Sequence, residues 1–279
     1  MTFDSQLIHK NFLEEDEGVN FWEGHHNEKN NDSKRHYYML QHLAPLFNIF
    51  SSKQKSWLTI GDRHGREGVF LKKSGVQDIT CSDLFFKKDL AERLTKNYDV
   101  KCINVDVENI PYKNDAVDFI LCKETFHHFP RPFKGLYEML RCAKYGVILM
   151  EPQECRTFSS DSFLLQGCRD EYEDIGNYKY ELSARECCKI AWALRYPHVL
   201  FRGFNDGVEL LYNDKGEVSG EEAFQAYLEH TQGLNNLGAQ NKRPYNLLIS
   251  VILKREIEAP ARSLLSDFKI LDCPVPPLA

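Results

Sequence analysis

Polar residues stand directly after several short apolar runs of this sequence, which is where α/β proteins place their chemistry. The first such segment is the loop Gly61-Asp62-Arg63-His64-Gly65, which follows the apolar run Trp57–Ile60. Glycines in a strand-to-helix turn let the backbone approach a ligand. The loop is not a P-loop, because no Gly-Lys-Ser/Thr follows, and Arg63 interrupts the dinucleotide pattern G-x-G-x-x-G. It therefore predicts a ligand loop of another kind.

Two carboxylates follow the next two apolar runs. Asp83 ends the second run, twenty-two residues after Gly61. A carboxylate at this position can accept both hydroxyls of a ribose, and capping of the following helix is its alternative role. Asp106 ends the third run in the same way. Together with the glycine loop, these two residues predict one ligand site that spans neighbouring strands.

The segment after the fourth apolar run holds the groups best suited to proton transfer. His127 and His128 are adjacent there, and a neutral imidazole with a pKa of about 6.5 is a suitable general base at neutral pH. Glu124 is a further candidate base. Structural roles stay open for all three: the histidines could cap the following helix, and Glu124 could pair with Lys123 or Arg131.

These segments require a regular alternation of strands and helices to bring them together. Apolar runs alternate with helical patterns, which predicts right-handed crossovers and a parallel sheet with helices on both faces. The fold class expected is α/β, a Rossmann-like doubly wound sheet of about seven strands with an N-terminal helical arm and a C-terminal insertion. The predicted strands are 57–60, 78–82, 100–105, 117–122, 146–150, 198–202 and 246–253.

Four regions follow from this pattern. Residues 1–55 are predicted to form an N-terminal arm and a leading helix, which starts at Ser33 and kinks near Pro45. Residues 56–152 form the cofactor-binding core, and 153–255 the rest of the sheet with an acceptor-binding insertion. Residues 256–279 form a weakly patterned tail. Capping-box signatures predict helix starts at Ser183 and Ser219.

Composition limits the function. The 279 residues carry a formal net charge of −6, which argues against general affinity for nucleic acid, and no apolar stretch reaches the roughly 18 residues of a membrane span. The N-terminus lacks the pattern of a secretory signal, so a cytoplasmic location is predicted. The nine cysteines are expected to be reduced, and their spacing does not favour a metal site.

Taken together, residues 56–152 resemble the class I S-adenosylmethionine-dependent methyltransferase family, and more narrowly the small-molecule methyltransferases of quinone biosynthesis. The order and spacing of the segments carry this resemblance more than any one of them. It implies S-adenosylmethionine as the cofactor. It also implies a cofactor site built from Gly61, Asp62, Arg63, His64, Gly65, Asp83, Leu84, Asp106, Val107 and Lys123.

The resemblance implies a part for each segment. The two loop glycines would frame the methionine part, Asp83 would hold the ribose, and Asp106 with the Val107 backbone would contact adenine. Lys123 would sit beside the transferable methyl. This sequence has Thr59 where the family usually has an acidic residue, and it has Arg63 in place of a second glycine. Asp62 is the candidate replacement for the lost contact with the cofactor ammonium.

The acceptor is predicted to be a small anionic molecule, because Arg63, His64, Lys123 and Arg131 lie at one rim of the predicted sheet. O-methylation of a sugar-derived or phosphorylated metabolite, in bacterial surface-polysaccharide biosynthesis, is the expected reaction, by a monomer or homodimer. Tyr37, Tyr38 and Trp22 are candidates for a lid, and Tyr178, Tyr180 and Arg185 for acceptor contacts. The alternatives are a non-catalytic binding module and a nicotinamide-dependent oxidoreductase.

Overall fold

The computed structural model describes residues 30–154, 180–213, 216–218 and 220–274. The predicted arm up to residue 29, including Trp22, lies outside these ranges, as does Tyr178. The described α-helices are α1 (Asn31–Gln41), α2 (Arg66–Lys73), α3 (Lys88–Tyr98), α4 (Pro132–Cys142), α5 (Ala184–Ala193), α6 (Glu221–Ala239) and α7 (Ala259–Ser263). The described strands are β1 (Ser56–Ile60), β2 (Asp78–Asp83), β3 (Lys101–Asn104), β4 (Val117–Lys123), β5 (Ala143–Pro152), β6 (His198–Phe204), β7 (Tyr212–Asn213), β8 (Gly216–Glu217), β9 (Leu247–Leu253) and β10 (Lys269–Asp272).

Eight of the described strands form one sheet in the order β10-β6-β9-β5-β4-β1-β2-β3. Strands β1 to β5 pair in parallel with their neighbours in this group. The chain order reverses between β1 and β4, since β2 and β3 lie on one side of this point and β5 on the other. In open α/β sheets ligands bind outside the carboxyl ends of the strands at such a switch point. The predicted Rossmann-like α/β architecture is therefore confirmed.

Helices cover both faces of the sheet, and each face has its own hydrophobic core. One core joins α1, α2 and α3 to the sheet through residues such as Met39, Val69 and Leu94. The other joins α4 and α5 through residues such as Leu136 and Ile190. The inner strands are buried on both sides, and all seven residues of β9 are buried. This explains their nearly continuous apolar sequences.

The described sheet has eight strands, close to the seven predicted. One feature differs from the predicted parallel sheet, because β9 and β10 run antiparallel to their neighbours. An apolar run predicts that a strand is buried but not its direction. The direction depends on the edge of the sheet at which the preceding connection enters the strand. The tail is more ordered than predicted: it contains α7 and β10, a short edge strand with exposed ends whose pattern is weak for that reason.

The helix starts show where local signals succeed. The Asn30 side chain caps α1 by accepting a hydrogen bond from Ser33 N at 2.9 Å, so α1 begins at Asn31, two residues before the predicted start. The predicted break near Pro45 is present, because a 3-10 helix at Ala44–Asn48 follows α1. Ser183 is the N-cap of α5 but makes no side-chain capping bond. Helix α6 has Gly220 at its N-cap, and Ser219 lies outside the described residues.

In the described part of the chain, no helix combines the length and apolar character needed to span a membrane. The seven described cysteines are free thiols, and five of them are buried.

Candidate functional site

The crevice at the switch point lies between the loops that follow β1 and β4. Ile60 pairs with Cys122, which brings Gly61 beside Lys123. The Thr125 hydroxyl donates to the Gly61 carbonyl at 3.3 Å. Gly61 has a φ of +71°, and a Cβ at this position would overlap the Thr125 side chain. Only glycine therefore meets both the backbone conformation and the close packing of the two loops.

Asp62 organises the loop from the inside. Its carboxyl group is buried and accepts hydrogen bonds from the Thr59 hydroxyl at 2.9 Å and from Gly68 N at 2.8 Å. Burial, followed by the neighbouring Glu67 carboxylate, raises the pKa of Asp62 well above its usual value. The Thr59–Asp62 pair thus holds the turn together. This inward orientation gives no support to the prediction that Asp62 contacts a cofactor ammonium.

Asp83 and Asp106 continue the row of polar residues along the sheet edge. The backbone ties them to their neighbours, since Asp62 N donates to Ser82 O at 3.0 Å and Val105 N to Asp83 O at 2.7 Å. Asp83 is buried, and its burial raises the pKa of the carboxyl group to about 6. Asp106 caps the 3-10 helix Val107–Asn109 by accepting from Glu108 N at 2.9 Å.

The remaining predicted cofactor residues flank this row. Leu84, Arg63 and His64 are half-buried, whereas Gly65 and Val107 are buried. The structure thus brings the predicted loop, Asp83 with Leu84, and Asp106 with Val107 to the carboxyl ends of β1, β2 and β3 in that order.

Lys123 lies at the centre of the crevice with its side chain only 1% exposed. Its Nζ lies 2.6 Å from Glu124 Oε2, 2.7 Å from His36 Nδ1 and 3.6 Å from Glu67 Oε1. Glu124 has a φ of +48°, in the left-handed region that disfavours non-glycine residues. Although burial opposes its ionisation, Lys123 and Arg35 hold the pKa of Glu124 well below its usual value. The strained backbone is therefore fixed by ion pairs on both sides.

Arg35 links this crevice to the C-terminal region. Its Nε donates to Asp206 Oδ2 at 2.7 Å, and its Nη2 lies 3.2 Å from Glu124 Oε1. The Tyr227 hydroxyl of α6 donates to the other Asp206 oxygen at 2.9 Å. Burial lowers the pKa of Arg35, but the two carboxylates outweigh it, so that the guanidinium stays charged.

Helix α1 is fixed at its start by four further hydrogen bonds, two made by Asp32 and two by Asn31. Asp32 accepts from Arg66 Nη2 at 2.8 Å and from the Tyr212 hydroxyl at 2.7 Å. Asn31 Nδ2 donates to the carbonyls of Val218 and Gly220, both at 2.9 Å. The first turn of α1 thus joins the cofactor loop to the segment before α6.

His127 and Glu151 form a buried pair at the carboxyl ends of β4 and β5. His127 Nδ1 lies 2.7 Å from Glu151 Oε2, and Glu151 is fully buried. The other Glu151 oxygen accepts from the backbone N–H groups of Thr125 and Phe126 at 2.9 and 3.0 Å. A carboxylate oxygen at this distance favours the His127 tautomer that carries its proton on Nδ1. His128 is half-buried, and its ring centroid lies 4.1 Å from that of His127.

Two of the four residues of the predicted basic rim are paired with carboxylates of the protein. Lys123 is surrounded by carboxylates, and Arg131 forms an ion pair with the buried Glu108. Within the described ranges, no group of three or more His, Cys, Asp or Glu side chains is placed to hold a metal ion. Tyr37 and Tyr38 lie on α1, and Tyr180 and Arg185 are exposed, so that their roles as lid and acceptor contacts stay predictions.

Several residues of this site did not emerge from the sequence. Glu151 lies near the end of β5, directly after the apolar residues 146–150, and that position was a signal that could have identified it. Arg35 and His36 lie on a helix that was predicted from its apolar positions alone. Asp206 is 171 residues from Arg35 in the chain, and no local pattern joins the two.

Comparisons with known proteins give one family match and several similar folds. Residues 58–150 match the family described as the methyltransferase domain. A sequence comparison with curated proteins gives no match. The fold is similar to that of a magnesium protoporphyrin IX methyltransferase from Synechocystis PCC 6803 with bound SAH, with a TM-score of 0.56 and 10% identity over 90% of this chain and 100% of that one. It is also similar to a SAM-dependent methyltransferase from Archaeoglobus fulgidus, with a TM-score of 0.51 and 16% identity over 79% of this chain and 94% of that one.

The sheet and its switch-point crevice thus define a Rossmann-like methyltransferase fold. Residues 58–150 match the methyltransferase family, and together with the fold this match supports a class I S-adenosylmethionine-dependent methyltransferase with S-adenosylmethionine (SAM) as its cofactor. The narrower resemblance to quinone-biosynthesis enzymes is not confirmed. The charges of the crevice fit SAM, which has a net charge of +1, because the carboxylates outnumber the cations. The carboxylates are Asp32, Glu67, Asp83, Glu124 and Asp206, and the cations are Arg35, Arg63, Arg66 and Lys123.

Proposed function

We propose that this enzyme methylates a hydroxyl oxygen of a small molecule and that His127 is the general base. The observation that carries the proposal is the hydrogen bond between His127 Nδ1 and the fully buried Glu151, at 2.7 Å. A carboxylate that holds one imidazole nitrogen fixes the tautomer and directs the basic lone pair to the other nitrogen. Hydroxyl oxygens need such a base, because a neutral hydroxyl is a weak nucleophile.

The cofactor contacts in this proposal follow the row of strand ends. SAM supplies an electrophilic methyl group on a sulfonium. Asp83 accepts the ribose hydroxyls, Asp106 and the Val107 backbone contact the adenine, and Gly61 with Gly65 lets the loop approach the methionine part. Each group stands at the carboxyl end of β1, β2 or β3, which supports this order of contacts.

Among the candidate bases, the environment favours His127 over Glu124. Glu124 is ion-paired to both Lys123 and Arg35, and these cations keep the pKa of its carboxylate well below the usual value. A carboxylate stabilised in this way is a poor proton acceptor. His127 instead pairs with a carboxylate, through its Nδ1 to Glu151, and it lies in the segment that follows β4.

We further propose an anionic acceptor, such as a sugar-derived or phosphorylated metabolite. Fewer basic residues support this proposal than the sequence predicted, because Lys123 and Arg131 are paired with carboxylates. It comes from Arg63 and His64, which are half-buried in the loop that borders the crevice. A place in bacterial surface-polysaccharide biosynthesis would supply such acceptors. Its support is that this loop and the segment of residues 123–128 resemble those of proteins in such pathways.

The test begins with incubation of the full chain with methyl-labelled SAM and pools of phosphorylated and carboxylated sugars. The labelled product is isolated, and the methylated atom is determined by NMR. We expect the label on oxygen. Label on nitrogen or carbon would contradict the proposal.

The base is then tested by substitution. We expect His127→Gln and Glu151→Gln to lower kcat, the former by about 10²- to 10⁴-fold. His230→Gln is a matched control, since His230 pairs with Glu209 at 2.8 Å on the exposed face of α6. A loss confined to His128→Gln would overturn the assignment of His127. For the anionic acceptor, Arg63→Gln should raise KM for a charged acceptor more than for a neutral analogue, and an unchanged KM would contradict it.

A further inference from the structure

A buried lysine beside the switch point poses an electrostatic problem for this cofactor. Lys123 ends β4 next to Gly61, and its side chain is almost completely buried. The sulfonium of SAM is positively charged, and like charges that are close together in a site of low dielectric constant repel each other strongly. An isolated ammonium at this position would therefore oppose binding of SAM. It would not oppose the neutral thioether of S-adenosylhomocysteine (SAH).

Two carboxylates flank this ammonium from different elements. Glu124 follows Lys123 in the chain and lies 2.6 Å from its Nζ, and Glu67 of α2 lies 3.6 Å away. The third neighbour, His36 Nδ1, is neutral, because burial and the Lys123 charge hold the pKa of His36 well below its usual value. These two carboxylates offset the Lys123 ammonium, and Glu124 also pairs with Arg35.

The surrounding structure keeps both carboxylates in place. Glu124 is held in a left-handed backbone conformation, and Arg35 Nη2 lies 3.2 Å from its other oxygen. Glu67 lies in the first turn of α2 directly after the cofactor loop, and its side chain is only 10% exposed. These constraints oppose rearrangement of the cluster when a ligand enters.

We infer that Glu67 and Glu124 are specificity-determining residues that neutralise Lys123 and thereby make the crevice prefer the cationic cofactor to its neutral thioether product. This inference rests on the identity of the cofactor and does not depend on the proposed O-methylation. The wild-type chain should bind SAM and sinefungin, which carries an amine in place of the methylsulfonium, more tightly than SAH.

Isothermal titration of the full chain with these three ligands tests the inference without turnover. For Glu124→Gln, we expect SAM and sinefungin affinities to fall by about 10- to 100-fold, because only one of the two carboxylates that offset the Lys123 charge remains. The affinity for SAH should change by less than about threefold, since its thioether sulfur is neutral and is not repelled by the Lys123 ammonium. Glu67→Gln should act in the same direction. Lys123→Met should act in the opposite direction and increase the preference for the cationic ligands.

Two controls separate charge from structure. Glu221→Gln removes a carboxylate that lies 2.5 Å from Lys34 on the surface, and it should leave all three affinities unchanged. Asp83→Asn alters a group proposed to contact the ribose, which all three ligands share, so it should weaken them equally. Circular dichroism and thermal melting confirm that each variant is folded.

The inference is overturned if Glu124→Gln and Glu67→Gln weaken SAM and SAH by the same factor, or if neither substitution changes the ratio of the two affinities. It is also overturned if Lys123→Met lowers the preference for SAM. A result in which the ratio shifts as expected while the methylated atom proves to be nitrogen would support this inference and contradict the proposed O-methylation.

Discussion

Lowering the pH should weaken SAM binding through Asp83. The burial of this carboxyl group at the end of β2 raises its pKa to about 6 in the cofactor-free protein. A carboxylate accepts the two ribose hydroxyls only when it is ionised. Binding therefore requires the loss of a proton below pH 6, and the affinity must fall as the pH falls through this value.

The size of the effect follows from the ionised fraction. At pH 8 nearly every Asp83 is ionised, whereas at pH 5 only about one in eleven is, so the apparent affinity falls about tenfold between these values. Titration calorimetry from pH 5 to 8 measures this directly. Repeating the titration in buffers with different ionisation enthalpies gives the number of protons released when SAM binds, and we expect about one proton at pH 5.

Asp83→Asn is the matched variant, because the amide keeps the shape but cannot ionise. Its affinity for SAM should be lower at pH 8 and nearly independent of pH from 5 to 8. A wild-type affinity that does not change between pH 5 and 8 would refute the reasoning. An Asp83→Asn variant that keeps the full pH dependence would assign the titration to another group.

Three further substitutions test the structure of the site. Asp83→Asn should also raise the stability of the cofactor-free protein. The pKa of Asp83 is about 6 in the folded protein and 3.8 ordinarily, so the wild-type protein loses stability as the pH rises from about 4 to 6. At pH 8 the variant should therefore have a free energy of unfolding in urea that is higher by up to about 3 kcal/mol. Arg35→Met should lower the free energy of unfolding by about 3–5 kcal/mol, because it leaves the buried Asp206 carboxylate without its cation, and denaturant titration would contradict this if the loss were under about 1 kcal/mol. Gly61→Ala should lower the melting temperature and SAM affinity together, because its Cβ overlaps Thr125 and its φ is +71°; an unchanged affinity would show that the loop tolerates the strain.

The parts of the fold that follow from local pattern were predictable. Strands β1, β2, β4 and β5 are mostly buried, whereas β3 at the edge of the sheet has no buried residue. For all five, the predicted bounds differ from the observed ones by at most three residues at each end. The antiparallel directions of β9 and β10 were not predicted, because hydrophobic periodicity is the same for either direction. The edge strand β10 was missed because only half of its residues are partly buried.

The candidate site divides in the same way. Asp83, Asp106 and His127 could be identified because each follows an apolar strand, and the carboxyl ends of parallel strands meet at one edge of a sheet. Arg35 could not, because the face that α1 turns to the crevice is set by tertiary packing. The inward orientation of Asp62 also depends on packing, since its partners are the Thr59 hydroxyl and the Gly68 N–H group across the turn.

The assignment of this chain as a SAM-dependent enzyme is tested most directly by titration calorimetry of the full-length protein with SAM and, separately, with NADH and NADPH. We predict saturable binding of one SAM per chain and no binding of either nicotinamide cofactor. Failure to bind SAM at millimolar concentration, or saturable binding of a nicotinamide cofactor instead, would contradict the account.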